Sequence, residues 1–333
     1  MRISHSVRKK IVISMGDPSG IGPEIILKSL IKLQHSKNYS FTIVGDYGAF
    51  QKAAKISKIN ISSVISRPIG NFGQISEKIN FADLENVNLK NFRFGKSDKI
   101  YGACSIEYLD AALSIMKGIK ARALVTAPIC KASINRAGFN FPGHTEYLEY
   151  ITKSQRVTMV LVGGPLIVSL VSRHIALGDV PHYITQKRII HTTENTYSAL
   201  KKFFKKRNPR IGIACLNPHA GDGELFGREE KTIINPAVLY LKRKIKGIVG
   251  PEPADTLFHK AYNGRLDAVV SMYHDQGLIP LKMIAFETGV NLSVGLPFIR
   301  TSPDHGTAFD IAGLGKANPA SMIEAIKLAH KLC

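Results

Sequence analysis

The sequence contains no tryptophan and only four cysteines among its 333 residues. Cys104, Cys130, Cys215 and Cys333 are far apart and form no C-x-x-C pair, so neither a disulfide framework nor a cysteine-based zinc site is expected. No run of eighteen apolar residues occurs, which excludes an ordinary membrane-spanning helix. The apolar stretch behind the basic N-terminus, residues 11–15, is too short for a signal-peptide core. We therefore expect a cytoplasmic protein with reduced thiols and no membrane partner.

Acidic residues are scarce, since 45 Lys and Arg face 25 Asp and Glu, for a formal net charge of +20. Such an excess invites comparison with nucleic-acid-binding proteins. The lysines are spread along the whole chain, however, and no alternation of aromatic and basic residues offers a platform on which bases stack. The pattern favours a solvated basic surface that attracts small acidic substrates, with no nucleic-acid partner. A basic nucleic-acid-binding protein is the remote alternative.

The remaining composition, 44% hydrophobic and 21% charged, is that of a globular protein. Short Val/Ile-rich runs alternate with helical stretches, which predicts an α/β fold with a mostly parallel sheet. Strands are predicted at residues 10–14, 41–44, 121–126, 157–162, 166–172, 210–216, 267–272 and 291–294. Helices are predicted over residues 106–116, 185–203, 229–241 and 321–330. Residues 60–99, rich in Asn, Ser and Lys, are expected to be irregular.

Polar or glycine-rich loops follow four of the predicted strands. They are residues 16–24 (GDPSGIGPE), 127–131 (APICK), 217–223 (NPHAGDG) and 273–277 (YHDQG). Ligands of such sheets bind beyond the carboxyl ends of the strands, so these loops predict a site at one sheet edge. The first loop lacks the G-x-x-x-x-G-K-[ST] pattern, which excludes a nucleoside-triphosphate loop. Taken alone, the first loop is equally compatible with an anion site at the N-terminus of the following helix and with an ordinary strand-to-helix turn.

Three histidines end or follow predicted strands, namely His174, His219 and His274. Three neutral imidazoles leave a metal ion open positions for a substrate hydroxyl or carbonyl. Their spacing matches no short metal motif, so each is also compatible with a hydrogen-bonding role in its loop. His144 and Thr145 lie beside a glycine and are suited to contact a polar substrate, although Thr145 is also a candidate helix cap.

Three polar residues stand in apolar surroundings: Lys282, Asn291 and Arg300. The two cations are suited to hold a phosphate or carboxylate, and the arginine can do so with two parallel hydrogen bonds. The alternative for each is a surface charge at the end of a buried stem. The small residues in the string HGTAFD, residues 305–310, permit close approach of a planar ring and its ribose, unless they form only a glycine-containing connection.

Together these strings resemble the 4-hydroxythreonine-4-phosphate dehydrogenase family of vitamin B6 biosynthesis over essentially the whole chain. The strings are GDPSGIGPE (16–24), PGHTE (142–146), LNPHAGDGELFGREE (216–230), GPEPAD (250–255), YHDQG (273–277) and DHGTAFD (304–310). The first and last are also similar to elements of the isocitrate and isopropylmalate dehydrogenase superfamily, which binds NAD without a G-x-G-x-x-G fingerprint. The resemblance implies a three-layer α/β/α fold whose two domains, residues 1–130 with 296–333 and residues 131–295, flank a cleft.

The resemblance also implies the roles of individual residues. One divalent ion, zinc, magnesium or cobalt, is expected to be bound by His174, His219 and His274. Substrate is expected to be bound by His144, Thr145, Lys282, Asn291 and Arg300. The NAD or NADP cofactor is expected to lie near His305, Gly306, Thr307, Ala308 and Asp310. Candidates for proton transfer, or for supporting the metal ligands, are Asp255, Asp275 and Lys131. The family is a homodimer with its sites at the subunit interface and the metal shared between protomers.

The implied reaction is the NAD(P)-dependent, metal-dependent oxidation of 4-phosphohydroxy-L-threonine to 2-amino-3-oxo-4-(phosphooxy)butanoate. This product decarboxylates to 3-amino-2-oxopropyl phosphate, which enters pyridoxine 5'-phosphate biosynthesis. The alternative is a paralogous dehydrogenase of threonate or erythronate 4-phosphate. Such an enzyme would keep the metal and phosphate contacts and differ around the substrate's amino group.

Overall fold

The structure is a computed structural model that describes residues 9–35, 39–65 and 79–333, together with the backbone of residues 68–69. It comprises two compact units, unit 1 (Met1–Lys153 with Leu296–Cys333) and unit 2 (Ser154–Gly295). Each unit contains a sheet and helices, so the predicted α/β class is confirmed. Residues 131–153, which are expected in the second domain from the sequence, belong to unit 1 in the structure.

The described strands are, in chain order, β1 (Lys9–Ser14), β2 (Tyr39–Gly45), β3 (Pro68–Ile69), β4 (Ile79–Asp83), β5 (Ala123–Thr126), β6 (Thr158–Gly163), β7 (Leu166–Leu170), β8 (Ile211–Ala214), β9 (Ile248–Glu252), β10 (Ala268–Ser271), β11 (Val290–Val294) and β12 (Ile299–Pro303). The described α-helices are α1 (Gly22–Leu33), α2 (Tyr47–Ile56), α3 (Lys99–Ile119), α4 (Lys131–Arg136), α5 (His144–Ile151), α6 (Val180–Tyr183), α7 (Gln186–Lys202), α8 (Asn235–Lys244), α9 (Ala254–Tyr262), α10 (His274–Ala285) and α11 (Ala320–Leu332).

Unit 1 has a parallel sheet in the order β3-β4-β2-β1-β5-β12. Its central strands are buried almost throughout, and Ile11, Val12 and Ile13 of β1 have no exposed surface. Such continuous apolar strands are typical of parallel sheets covered on both faces. Ser14 pairs with Thr126, so β1 and β5 end together at the same edge of the sheet.

Unit 2 has a sheet in the order β11-β6-β7-β10-β8-β9. Strand β6 is antiparallel to both β7 and β11, and the other described pairs are parallel. Successive residues of β10 face opposite sides, since Val270 packs in one core cluster with Leu241 of α8 and Val269 packs in another with Leu257 of α9. Unit 2 therefore has helices on both faces of its sheet, which is the predicted three-layer arrangement.

The eight predicted strands are present, each within two residues of its predicted ends. The four predicted helices correspond to α3, α7, α8 and α11, with a π-helical turn (Glu230–Ile234) leading into α8. Two of these helices have side-chain N-caps. The Asp98 carboxylate accepts from Ile100 N–H at the start of α3, and the Thr185 hydroxyl accepts from Arg188 N–H at the start of α7. No helix within the described ranges has the length and apolar character needed to cross a membrane.

The expectation of irregular structure over residues 60–99 is wrong where β4 forms. Asn80 and Asp83 interrupt the apolar pattern of this strand, but the buried Asn80 Nδ2 donates to Phe41 O of the neighbouring strand β2 at 3.2 Å. Residues 66–67 and 70–78 of that segment lie outside the described residues. Strands β9 and β12 were also not predicted, since their prolines and polar residues mask the strand pattern.

Close packing explains why residues 131–153 belong to unit 1. A Cβ added to Gly102 of α3 would lie 2.2 Å from Ser133 O, so α4 can approach α3 only because a glycine is present. The Ser97 and Ser133 hydroxyls are 2.9 Å apart. Further along, the Tyr147 hydroxyl of α5 donates to the Asp110 carboxylate at 2.6 Å. These contacts attach α4 and α5 to α3.

Candidate active site

Unit 1 buries two of the residues predicted to bind substrate. His144 begins α5 and is 8% exposed, and Arg300 lies on β12 and is 3% exposed. Arg300 Nη2 donates to Thr126 Oγ1 at 2.7 Å, which holds the guanidinium at the end of β5. Thr145 follows His144 and is also buried. The parallel register of β5 and β12 makes this arrangement possible, because Arg300 pairs with Leu124 two residues before Thr126.

The electrostatics of this cluster favour an anionic ligand. Burial, and then the positive charge of Arg300, hold the pKa of His144 well below its usual value, so the imidazole is neutral. Burial lowers the pKa of Arg300 to about 10, against the opposing effect of the Glu146 carboxylate, so the guanidinium stays charged at neutral pH. His144 Nε2 is buried and has no hydrogen-bond partner within the described part of the chain. The buried guanidinium of Arg300 can bind a phosphate or carboxylate, and the nearby His144 Nε2 can form a hydrogen bond with another polar group of the same ligand.

The predicted cofactor loop contacts the glycine-rich loop at residues 16–24. Ile21 N–H donates to Thr307 O at 3.0 Å, and a Cβ on Gly20 would lie 3.0 Å from Thr307 Cβ. The first and last strings of the sequence analysis therefore form one cluster in unit 1. Within that cluster His305, Gly306 and Asp310 are exposed, and Thr307 and Ala308 are half-buried.

Asp17 is a buried carboxyl that the sequence analysis did not single out, although it stands in the first string. Its Oδ1 accepts from both the N–H and the hydroxyl of Ser19 at 3.0 Å. Its Oδ2 is buried and has no partner among the described residues. Burial raises the pKa of Asp17 to about 6, although the hydrogen bonds from Ser19 oppose that shift.

Unit 2 brings two of the three predicted metal ligands together. The chain beyond β7 runs beside the chain beyond β10, since the Ser172 hydroxyl donates to Met272 O at 2.7 Å. This places the ring centroids of His174 and His274 5.5 Å apart. Two imidazoles on one tetrahedral ion, each bound through a nitrogen about 2 Å from it, have centroids roughly 5 Å apart, so the pair fits a shared ion.

The second ring nitrogen of His274 strengthens this fit. His274 Nδ1 lies 2.6 Å from Asp275 Oδ1, which leaves Nε2 of the same ring to face a ligand. Metal-binding histidines commonly donate their other ring N–H to a carboxylate, which fixes the tautomer and the ring direction. Asp275 is otherwise largely exposed, at 71% of its side chain.

His219 lies on a left-handed turn at residues 218–224. Its φ is 52°, and the four residues that follow also have positive φ. The imidazole lines a cavity of about 580 Å³ in unit 2 that is shared with Asp255 and Asp275. Within residues 9–35, 39–65 and 79–333, no three His, Cys, Asp or Glu side chains are close enough to hold one metal ion. A single chain therefore does not assemble the three predicted imidazoles around one point.

The remaining predicted residues are divided between the units. In unit 1, Lys131 is exposed at the start of α4, and a Cβ on Gly143 would lie 3.9 Å from its Cε. In unit 2, the Lys282 ammonium lies 5.3 Å from the centroid of the Phe286 ring. Asn291 of β11 has a buried Oδ1 with no partner in the described ranges.

Two side chains that the sequence analysis missed organise the loops of unit 2. Gln276 accepts from Met272 N–H and donates to Cys215 O, both at 2.8 Å, and so connects the ends of β10 and β8. Glu230 is buried and accepts from the backbone N–H groups of Leu216 and Asn217. Both residues stand in strings that carry the resemblance, but nothing in the sequence indicates their partners.

Both units collect polar side chains beyond the carboxyl ends of parallel strands, which is the arrangement of an α/β enzyme with a small ligand. Over residues 37–329 the chain matches the family model described as pyridoxal phosphate biosynthetic protein PdxA, and it belongs to this family. The family resemblance inferred from the sequence strings is therefore confirmed.

Individual relatives give the same picture. The chain is 41% identical over 333 residues to a 4-hydroxythreonine-4-phosphate dehydrogenase of Geobacter metallireducens, covering 98% of this chain and 96% of the relative. The crystal structure of the enzyme of that name from Klebsiella pneumoniae has a TM-score of 0.86 and 36% identity, covering 99% of both chains. A putative D-threonate 4-phosphate dehydrogenase of Bradyrhizobium diazoefficiens is 38% identical, covering 97% of this chain and 96% of that one.

Proposed function

We propose that this protein oxidises 4-phosphohydroxy-L-threonine with NAD or NADP, giving 2-amino-3-oxo-4-(phosphooxy)butanoate. Decarboxylation of that product yields 3-amino-2-oxopropyl phosphate for pyridoxine 5'-phosphate biosynthesis. The observation that carries the proposal is the buried pair of Arg300 and neutral His144 in unit 1. It occurs in a chain of the PdxA family whose relatives are named for this dehydrogenase activity.

In this proposal the phosphorylated substrate is bound by Arg300 together with the imidazole of His144 and the hydroxyl of Thr145. The guanidinium supplies a permanent charge, and its hydrogen bond to Thr126 fixes its direction. Because His144 is neutral, one ring nitrogen can accept a hydrogen bond and the other can donate one. Lys282 and Asn291 of unit 2 are proposed to contact the same substrate.

The nicotinamide cofactor is proposed to bind at residues 305–310. Three of the five predicted residues there are exposed, so a ligand can reach them. The hydrogen bond from Ile21 N–H to Thr307 O attaches this loop to the glycine-rich loop at residues 16–24.

A divalent ion, zinc, magnesium or cobalt, is proposed to be held by His174, His219 and His274. When bound, the ion supplies Lewis-acid activation of the substrate's secondary hydroxyl and of the carbonyl that replaces it. Since His174 and His274 lie together and His219 does not join them within one chain, we propose that His219 comes from a second copy, in a homodimer. Asp275 orients the His274 ring through its bond to Nδ1. The proton of the substrate hydroxyl is proposed to pass to Asp255, Asp275 or Lys131.

Turnover with purified protein tests the proposal. Reduction of NAD and of NADP is followed by absorbance, with each divalent ion in turn and with either 4-phosphohydroxy-L-threonine or D-threonate 4-phosphate as substrate. We expect turnover of 4-phosphohydroxy-L-threonine, with a kcat/KM clearly higher than that for D-threonate 4-phosphate. A preference for the threonate ester would replace our substrate assignment by the activity named for the Bradyrhizobium relative. No nicotinamide reduction with either substrate would contradict the dehydrogenase assignment.

A further inference from the structure

The turn that carries His219 contains non-glycine residues in a costly conformation. The φ angles of His219, Ala220 and Asp222 are 52°, 56° and 40°. A left-handed conformation costs a non-glycine residue roughly 1–2 kcal/mol, and less when it is Asn or Asp. Contacts outside the turn must therefore hold it, and the direction of the His219 imidazole depends on those contacts.

The carboxylate of Glu230 makes such contacts on both sides of His219. Its Oε1 accepts from the N–H groups of Leu216 and Asn217, each at 2.8 Å. Its Oε2 accepts from Asn217 Nδ2 at 2.8 Å. On the other side of His219, a Cβ on Gly221 would lie 3.1 Å from Oε2, so the turn closes directly over the carboxylate.

The charge of Glu230 is unusual for its position. The side chain is 4% exposed, and no lysine, arginine or histidine in the described ranges forms an ion pair with it. Three neutral donors satisfy its hydrogen bonds, but they do not cancel its charge. A buried carboxylate without a countercharge is costly, and a cation bound in front of the turn would reduce that cost.

We infer that Glu230 is a positioning residue that fixes the His219 imidazole and places a negative charge behind it. The inference rests on the proposed function, in which His219 is a metal ligand. Groups that orient metal ligands from behind typically contribute about 10–100-fold to metal affinity. Glu230 does not contact the ring nitrogens of His219 but holds the backbone on either side of it. In addition, the negative charge of Glu230 attracts the bound metal ion.

Titration of the metal-free protein with Co²⁺ tests this inference without substrate or cofactor. The variant is Glu230→Gln, which keeps one acceptor oxygen but loses the charge and presents an NH₂ group to Asn217 Nδ2. The matched control is Glu229→Gln, because the Glu229 carboxylate also accepts from Asn217 Nδ2, at 2.8 Å, whereas the N–H groups of Leu216 and Asn217 donate to Glu230. His219→Ala serves as the reference for loss of the ligand itself. The readouts are the dissociation constant and the visible spectrum of bound Co²⁺, with the folded fraction checked by thermal denaturation.

We expect Glu230→Gln to weaken Co²⁺ affinity about tenfold or more and to alter the Co²⁺ spectrum, while Glu229→Gln stays within about twofold. Wild-type affinity and spectrum in Glu230→Gln, with weak binding in His219→Ala, would overturn the inference alone. Unchanged affinity in His219→Ala would instead overturn the metal site of the proposed function. If Glu230→Gln does not fold, Asn217→Ala decides, since it removes the hydrogen bond to Glu230 Oε2, while Glu229→Gln controls for the hydrogen bond to Glu229 that is lost with it. Asn217→Ala is expected to weaken Co²⁺ binding severalfold, and wild-type binding would overturn the inference.

Discussion

In the proposed function the buried cation Arg300 binds the phosphorylated substrate, and its hydrogen bond to Thr126 fixes the direction of the guanidinium. Thr126 has no exposed surface, and its Oγ1 accepts from Arg300 Nη2 at 2.7 Å. Thr126→Val keeps the size of the side chain and removes this acceptor. A hydrogen bond to a charged group contributes about 1.5–3 kcal/mol. Since 1.4 kcal/mol corresponds to a tenfold change, we expect the KM for the phosphorylated substrate to rise about tenfold or more.

The assay compares KM for substrate, KM for the nicotinamide cofactor and kcat in Thr126→Val and in Thr126→Ser. The serine variant keeps the hydroxyl, so its KM for substrate should stay within about threefold of wild type. No hydrogen bond of the described residues joins the Thr126 side chain to residues 305–310, so KM for the nicotinamide should change little in either variant. A wild-type KM for substrate in a folded Thr126→Val protein would refute the reasoning. Equal rises for substrate and cofactor would show that the hydrogen bond supports the fold rather than the phosphate site.

Two further predictions concern the loops of unit 1. Gly20→Ala should raise the KM for the nicotinamide cofactor severalfold with little effect on the KM for substrate, because the added Cβ would lie 3.0 Å from Thr307 Cβ. The kinetic control is Gly118→Ala, whose added Cβ would meet no atom within 4 Å. Equal effects of the two substitutions on the KM for the nicotinamide would contradict a role for the contact between Gly20 and Thr307. Asp17→Asn should stabilise the protein near pH 7.5 but not near pH 4, because a folded-state pKa raised from 3.8 to about 6 makes the stabilising protonated form disappear as the pH rises through that interval. A shift of that size corresponds to roughly 3 kcal/mol, so denaturant unfolding at both pH values should resolve it, and an equal effect at both would contradict the buried-carboxyl explanation.

Local patterns in the sequence were sufficient for much of the fold. The apolar repeat of Ile106, Leu109, Leu113 and Met116 predicts a helix that α3 contains, and the Val/Ile-rich runs predict the central strands. Strand β12 was missed because Arg300 and Pro303 make it read as polar. The burial of Arg300 depends on Thr126, which lies 174 residues away in the chain. No local pattern can indicate such a partner.

The candidate site shows the same limit. The sequence places His174 and His274 after separate predicted strands, but only the pairing of β7 with β10 makes those strands neighbours. Glu230 stands in a string that carries the family resemblance. Its inferred positioning role, however, depends on the folding of residues 216–221 against its carboxylate, which the sequence does not indicate. The sequence therefore indicates candidate side chains for the chemistry, whereas the side chains that contact them or their loops, such as Thr126 and Glu230, are identified only in the structure.

The central claim is that three imidazoles from two copies of the chain hold one divalent ion. Co-refolding inactive His174→Ala with inactive His219→Ala tests it directly, because a mixed dimer would then contain one site with all three histidines intact. With random pairing in a two-fold dimer, about a quarter of wild-type activity should return. A mixture of His174→Ala with His274→Ala should return none, because those two ligands come from the same chain. No recovery in the first mixture, with mixed dimers shown to form, would contradict the account.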